Sequence, residues 1–260
     1  MTINETISSS QNPRIRWLLA LQQKSAERRR EGIFVVEGLR ELQHCLEAGY
    51  EVETLFVCPT LCSTTLPSAL TTVEVTPQLY ARIAYRGSTE GVVAVVRDHP
   101  LTLNDLPLGP TPLIVVLESV EKPGNLGAIL RSADAAGADA VIVCDPLTDL
   151  WNPNLIRASV GARFTVPTVA TTTDACIAWL QQHDVTILTA QLQDSLPYYD
   201  TDMRGPTALV MGTEATGLTQ PWREAATAHI RIPMLGRLDS LNVSVSTAIL
   251  LFEAVRQRRG

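Results

Sequence analysis

Three short stretches of this 260-residue chain carry residue types that could do chemistry, and each follows a run that reads as a strand. The first is ESVEKPGNLGAILR, from Glu118 to Arg131, which leaves the apolar run LIVVLE and enters a helical one. Pro123, Gly124 and Gly127 shape its turn, Asn125 can cap the helix, and Arg131 follows six residues later. A strand, a glycine-bearing loop and a helix N-terminus can hold phosphate or carboxylate. The same residues also make an ordinary βα turn with a surface arginine. The stretch is neither GxGxxG nor a P-loop. The second stretch is MGTEATGL, where Glu214 lies between Gly212 and Gly217. Two glycines let backbone approach a flat ligand closely. The third is IPMLGRLDSLNVSVS, from Ile232 to Ser246: a strand ends at Pro233, a loop carries Gly236, and a run rich in Ser and Asn begins.

That last run poses its own question. LNVSVS alternates apolar and polar residues, the period of a half-buried strand. Yet Leu241, Val245, Ala248, Ile249, Phe252 and Val255 recur at spacings of three and four, the face of a helix. The spacing predicts a helix with Ser240 or Asn242 as its N-cap. Ser and Asn are mediocre helix formers, so these small polar residues either let another backbone come close or line a pocket.

The elements that position these stretches read as alternating strands and helices. In the first hundred residues, NPRIRWLLALQQKSAERRREG reads as one helix, with Asn12 as cap, Pro13 in the first turn and Gly32 as stop. Strands are expected at Ile33–Gly38, Val52–Pro59 and Gly91–Asp98, and helices over Leu39–Gly49 and within VEVTPQLYARIA. HPLTLNDLPLGPTP contains four prolines and reads as a linker. Beyond it, LIVVLE, AVIVCD, VTILTA, TALVMG and HIRIP are apolar strand candidates interleaved with helices over Leu126–Ala138 and Ala175–His183. Continuous apolar strands of that kind indicate a buried parallel sheet. The expected organisation is a small α/β domain over 1–98, a linker over 99–112 and a parallel-sheet domain over 113–260.

Composition narrows the classes. An apolar content of 45% supports real cores, and no apolar run reaches the length of a membrane span. MTINETISSSQ lacks the basic-then-apolar pattern of a signal peptide, so a cytoplasmic protein is expected. Five scattered cysteines and four scattered histidines form no metal-ligand pattern; neither a metal nor a histidine-centred mechanism is expected. The net charge of −6 argues against a general electrostatic grip on nucleic acid. Between Ser8 and Arg30, however, Arg14, Arg16, Lys24, Arg28, Arg29 and Arg30 face only Glu27. That basic end reads either as a phosphate-binding arm or as a solvated helix face.

Taken in order and spacing, NLGAILR, MGTEATG and IPMLGRLDSLNVSVSTAILLFEA resemble the three motifs of the SpoU (TrmH-like) RNA ribose methyltransferases, of the SPOUT superfamily. NPRIR…GIFVVEGLRELQHCL is also similar to that group's substrate-binding domain, which resembles a small ribosomal protein. The resemblance implies an α/β fold whose C-terminal half carries a deep trefoil knot, a rare exception to the rule that chains do not thread loops. It implies S-adenosylmethionine as cofactor, along Gly212, Ile232 and Leu241, with Pro233, Met234 and Gly236 in the adjoining loop. It implies a homodimer through the knotted half and methyl transfer to a ribose 2′-hydroxyl of structured RNA; ribosomal RNA and tRNA both stay open, and the extra N-terminal domain favours ribosomal RNA.

The resemblance gives Arg131 the central role. A guanidinium stays protonated at any ordinary pH, so Arg131 is better read as a clamp on RNA phosphate or on the developing alkoxide. Asn125, Glu214, Ser240 and Asn242 would orient substrate and arginine, with Glu214 the more conventional base. Arg14, Arg16, Arg28, Arg29 and Arg30 would contact RNA phosphate. Lys122 departs from the pattern, since many relatives carry an acidic residue before the proline, and this leaves the subfamily open. Two alternatives stand beside this reading: a base-nitrogen RNA methyltransferase, and a non-catalytic RNA-binding protein on the same fold. A dinucleotide oxidoreductase fails for want of GxGxxG and a ribose-binding acid.

Overall fold

A computed structural model describes residues 5–62, 64–67, 69–85, 90–213 and 216–260. Numbered along the chain, its strands are β1 (Glu5–Ile7), β2 (Ile33–Glu37), β3 (Val52–Val57), β4 (Thr71–Val75), β5 (Val92–Arg97), β6 (Leu113–Glu118), β7 (Ala140–Cys144), β8 (Thr168–Thr171), β9 (Thr186–Ala190), β10 (Leu196–Pro197), β11 (Thr207–Met211) and β12 (Ala228–Arg231). Its helices are α1 (Pro13–Gln23), α2 (Ser25–Glu31), α3 (Leu39–Glu47), α4 (Pro77–Ile83), α5 (Pro123–Ala136), α6 (Pro153–Ser159), α7 (Ala162–Thr165), α8 (Thr173–Gln182), α9 (Gln220–Ala225) and α10 (Val243–Arg259). They fall into two compact units.

The first unit comprises the residues up to His99 together with Trp151–Phe164. Its sheet runs β1-β4-β3-β5-β2, parallel across β1-β4-β3 and antiparallel across β3-β5-β2. Successive side chains of β2 face opposite ways, so Ile33 and Val35 pack with Ile15, Leu18 and Leu21 of α1, while Phe34 and Val36 join a second core. The expected single helix over Pro13–Glu31 is broken at Lys24, whose extended backbone (φ −115°, ψ 112°) separates α1 from α2. Asn12 caps α1 by accepting from the Arg14 N–H at 2.8 Å, and Gly32 ends α2 in the left-handed conformation.

The segment Trp151–Phe164 was expected to belong with the second domain, yet it packs on the first unit. The reason is aromatic. Trp151 stacks on Phe34 with ring centroids 3.8 Å apart and planes 5° from parallel, and Tyr50 meets Phe34 edge-on at 5.5 Å. The buried Arg163 guanidinium lies 3.9 Å from the Trp151 ring centroid. Burial lowers its pKa, and burial likewise raises that of Asp98 beside it. Cys45 in the same core has its thiol pushed up to about 12 by burial.

The second unit comprises Pro100–Leu150 and Thr165–Gly260. Its seven strands run β10-β12-β9-β11-β6-β7-β8, every pair parallel. β6, β7 and β11 are buried along their whole length, as a sheet covered on both faces requires. α5 begins at Pro123, three residues before the expected start, so Lys122 rather than Asn125 holds the N-cap position. β8, α6, α7 and α9 had no expectation; they are short and carry weak periodicity.

α10 settles the question of LNVSVS. Asn242 is the N-cap, its side chain accepting from the Ser244 N–H at 3.0 Å, and the helix runs to Arg259. The buried face, however, is Val243, Thr247, Leu250, Leu251 and Ala254. The stripe expected to be buried leaves Leu241, Val245 and Phe252 exposed at 40%, 47% and 48%. α10 is apolar on two faces, and this chain covers one. Its C-terminal end is tied down by Arg258, which donates to the carbonyls of Met203, Thr111, Pro112 and Gly205 at 2.7–3.2 Å.

Replacing a large buried aromatic by alanine costs about 3–5 kcal/mol. Trp151→Ala is therefore expected to lower the unfolding free energy of the first unit by an amount in that range, seen as a lower urea midpoint in a titration followed by near-UV dichroism. An unchanged midpoint would show that the Trp151–Phe164 segment does not hold that core.

Candidate functional site

Four adjacent strands of the parallel sheet, β12, β9, β11 and β6, deliver the loops that follow them to one edge. Ligands bind at the carboxyl ends of such strands. Here the loops enclose two neighbouring clefts. The larger, about 350 Å³, lies among 190–193, 211–213, 216–218, 230–232, Met234 and the start of α10. The smaller, about 160 Å³, is lined by Ser119, Lys122 and Asn125 on one side. Gly212, Thr213 and Val243 line both and form the wall between them.

The wall exists because position 212 has no side chain. A β-carbon there would lie 2.4 Å from the Gly217 carbonyl carbon and 2.6 Å from the Leu218 nitrogen, closer than atoms pack. With glycine, the loop folds back on itself: the Thr213 N–H donates to the Gly217 carbonyl at 3.3 Å and the Gly217 N–H returns to the Thr213 carbonyl at 3.1 Å. Gly217 turns the chain at φ +69°. The far end of the loop is pinned by Glu118, buried at the end of β6. Its carboxylate accepts from the Thr219 N–H at 2.9 Å, the Thr219 hydroxyl at 2.6 Å and the Thr173 hydroxyl at 3.3 Å.

The smaller cleft is built on a tie between two helix N-termini. The Asn242 Nδ2 donates to the Asn125 Oδ1 at 3.2 Å, joining residues 117 positions apart. Asn242 Oδ1 also accepts from the Ser244 hydroxyl at 2.6 Å, which fixes its amide plane. Ser119 stands at the mouth with φ +51°, a conformation rare for serine.

Of the residues expected at a cofactor site, Gly212, Ile232, Met234 and Leu241 line the larger cleft, with Ser240. Pro233 and Gly236 border a shallower groove beside it, which shares Ile232 and Met234. Asn125 and Asn242 come together. Arg131 lies on the exposed side of α5, about 9 Å along the axis from Asn125 and about 120° round it, and lines neither cleft. It has no partner among the described residues. Glu214 falls outside the described residues.

The basic stretch divides. Arg28 was expected to meet RNA, but it is buried at 3% exposure and its Nη1 donates to the Leu21 carbonyl. The α1–α2 break leaves C-terminal carbonyls of α1 without helical partners, and this guanidinium satisfies one. Arg14 pairs with Glu5 at 3.3 Å and Arg30 with Glu27 and Glu31, whereas Arg16 and Arg29 are exposed.

Glu118, Arg223, Arg231 and Asp239 were not singled out by sequence. Glu118 had a legible signal, a carboxylate ending an otherwise apolar strand. The described residues hold no group of three or more metal-ligating side chains placed to bind a metal.

A family model described as the SpoU rRNA Methylase family matches residues 112–252, more than half of the chain. The chain belongs to that family. The matched SpoU region contains both clefts, the Gly212–Leu218 loop and the Asn125–Asn242 pair. Residues 12–94 match a second model, the MRM3-like substrate binding domain. The 23S rRNA (guanosine-2′-O-)-methyltransferase RlmB of Yersinia pestis is 43% identical over 66% of this chain and 72% of its own. The 23S rRNA (uridine(2479)-2′-O)-methyltransferase of Streptomyces viridochromogenes is 30% identical over 96% of this chain and 92% of its own. The crystal structure of the SpoU methyltransferase AviRb from Streptomyces viridochromogenes, in complex with the cofactor AdoMet, superposes with a TM-score of 0.87 at 30% identity, covering 95% of this chain and 99% of that one.

Leaving a buried donor without its acceptor costs about 1–3 kcal/mol. Glu118→Ala is expected to speed amide exchange at Thr219 and through the SpoU loop 212–219 by about tenfold or more, read by hydrogen–deuterium exchange, while β7 and β8 keep their protection. Gly212→Ala should expose the same loop by steric displacement. Unaltered exchange in both variants would mean that neither contact holds the loop.

Proposed function

We propose that this chain transfers a methyl group from S-adenosylmethionine to a ribose 2′-hydroxyl of ribosomal RNA. The observation that carries the reading is the pair of clefts sharing the Gly212–Thr213–Val243 wall: one has the volume of a small-ligand site, and the other is lined by Asn125, whose side-chain oxygen accepts from Asn242. The larger cleft fits the cofactor chemically. Apolar Met211, Leu218, Ile230 and Leu241 suit a nucleobase, and the bare backbone at Gly212 lets it approach closely. S-adenosylmethionine supplies an already activated methyl group, so the chain's task is alignment and proton removal.

Asn125 and Asn242 orient the ribose through amide groups that their mutual hydrogen bond holds in place. Ser240, whose hydroxyl donates to Asp239 Oδ1 at 3.3 Å, faces the larger cleft and steadies the loop between the two. Arg131 clamps RNA phosphate or the developing alkoxide as a permanent cation. Glu214 is the carboxylate whose ordinary range suits acceptance of the proton.

The protein acts as a homodimer, with the exposed stripe Leu241, Val245 and Phe252 of α10 as its contact. The active site draws on both subunits, which accounts for Arg131 lying outside both clefts of one chain. The C-terminal half carries the deep trefoil knot that its family resemblance implies. The unit built on residues 1–98 holds RNA through Arg14, Arg16, Arg29 and Arg30, and 99–112 links it to the catalytic unit over 113–260, less Trp151–Phe164. The enzyme works in the cytoplasm, where its substrate is.

The test is transfer of tritium from labelled S-adenosylmethionine into ribosomal RNA. Wild type should label a nucleotide whose neighbouring phosphodiester resists alkali, as 2′-O-methylation dictates. Arg131→Ala should cut the rate about a hundredfold or more, and Arg16→Ala and Arg29→Ala should each lower the salt dependence of RNA binding by about one unit of slope. Label in an alkali-sensitive position would point to a base nitrogen instead, and cofactor binding without transfer to any RNA would point to a binding protein.

A further inference from the structure

The larger cleft contains charges that the proposed chemistry has not used. Among the described residues lining it, the ionisable side chains are Arg223, Arg231 and Asp239. Arg223, on α9, is exposed and has no partner among the described residues. Arg231, at the end of β12, is half-buried, and its polar contact is a long one, Nη1 to the Ser195 hydroxyl at 3.5 Å. Neither guanidinium is matched by a carboxylate. Arg14, Arg30, Arg97, Arg204 and Arg256 are ion-paired, and the other unpaired arginines, such as Arg16, Arg29 and Arg131, lie on exposed helix faces rather than in this cleft. In a protein of net charge −6, two unpaired arginines in one cleft are not a product of general basicity.

A ligand that fills this cleft meets two fixed positive charges. S-adenosylmethionine carries a sulfonium and an ammonium, which guanidinium repels, and one α-carboxylate, which guanidinium binds through paired N–H donors. Its adenosine is uncharged and suits the apolar end near Leu218 and Leu241. The charges therefore favour placing the α-carboxylate at the two arginines. We propose that Arg223 and Arg231 recognise the α-carboxylate of the cofactor's methionine moiety and that Asp239 takes its ammonium. These residues would select for the amino-acid tail, and would hold the tail while the sulfonium faces the Gly212–Thr213 wall and the smaller cleft. This deepens the reading given above and rests on it.

The experiment is calorimetric titration of the full chain and of Arg223→Gln and Arg231→Gln with three compounds: S-adenosylmethionine, S-adenosylhomocysteine and 5′-methylthioadenosine. The last keeps the adenosine and sulfur but lacks the amino-acid tail. A lost charge-assisted hydrogen bond corresponds to about tenfold in affinity. Each variant should bind the two tailed compounds about tenfold more weakly and 5′-methylthioadenosine as wild type does. Arg231→Lys should recover part of the loss. Equal weakening for all three compounds, or no weakening in either variant, overturns the assignment while leaving the cleft as the cofactor site. Failure of wild type to bind any of the three overturns the cofactor reading of the cleft, and the assignment with it.

Discussion

A backbone-to-backbone approach at Gly212 is the constraint on which the site depends. A β-carbon would sit 2.4 Å from the Gly217 carbonyl carbon, so any other residue forces the 212–218 loop outward. With the loop folded back, one short segment separates two clefts that would otherwise merge into a single open groove. In the proposed reading, that wall would stand between the methyl donor on one side and its acceptor on the other. In-line transfer needs the reacting atoms about 3–3.5 Å apart, and a glycine at 212 keeps one side chain out of that partition.

The wall is held by polar contacts at positions far apart in the chain. Glu118 closes β6 and binds Thr219 at the end of the loop and Thr173 at the start of α8. Asn242 reaches Asn125 across 117 positions. Each contact is worth only about 1–3 kcal/mol, but each joins the ends of elements that are rigid in themselves. Rigid strands with polar clips at their ends place side chains more precisely than loops alone.

Legibility followed burial on both faces. LIVVLE, AVIVCD and TALVM are apolar without interruption, so their strands and their parallel sheet could be read directly. The family motifs located Gly212, Ile232, Met234 and Leu241, all of which line the larger cleft. What escaped was set by tertiary partners. Trp151–Phe164 carries no periodicity that announces a partner in the other half of the sequence; its destination is decided by the Phe34 ring. Glu118 reads as a strand end until Thr219 is placed beside it. α10 was legible as a helix but not in its orientation, because a helix apolar on two faces does not say which face its own chain covers.

Arginine shows the same limit most sharply. Arg28, Arg163 and Arg258 look in sequence like any other positive charge. Yet Arg28 satisfies a helix-end carbonyl, Arg163 lies buried against Trp151, and Arg258 binds four carbonyls around the end of α10. A guanidinium has five donors and no acceptor, so once folded it is either satisfied by the protein's own oxygens or available to a ligand's. Counting basic residues cannot separate these cases; partners can. By that criterion Arg16, Arg29, Arg131, Arg223, Arg237 and Arg259 stand apart from the satisfied set, as does Arg231 but for one long contact. Arg16, Arg29 and Arg131 lie on exposed helix faces, whereas Arg223 and Arg231 line the larger cleft. The charge open to a ligand is the part the fold leaves unneutralised.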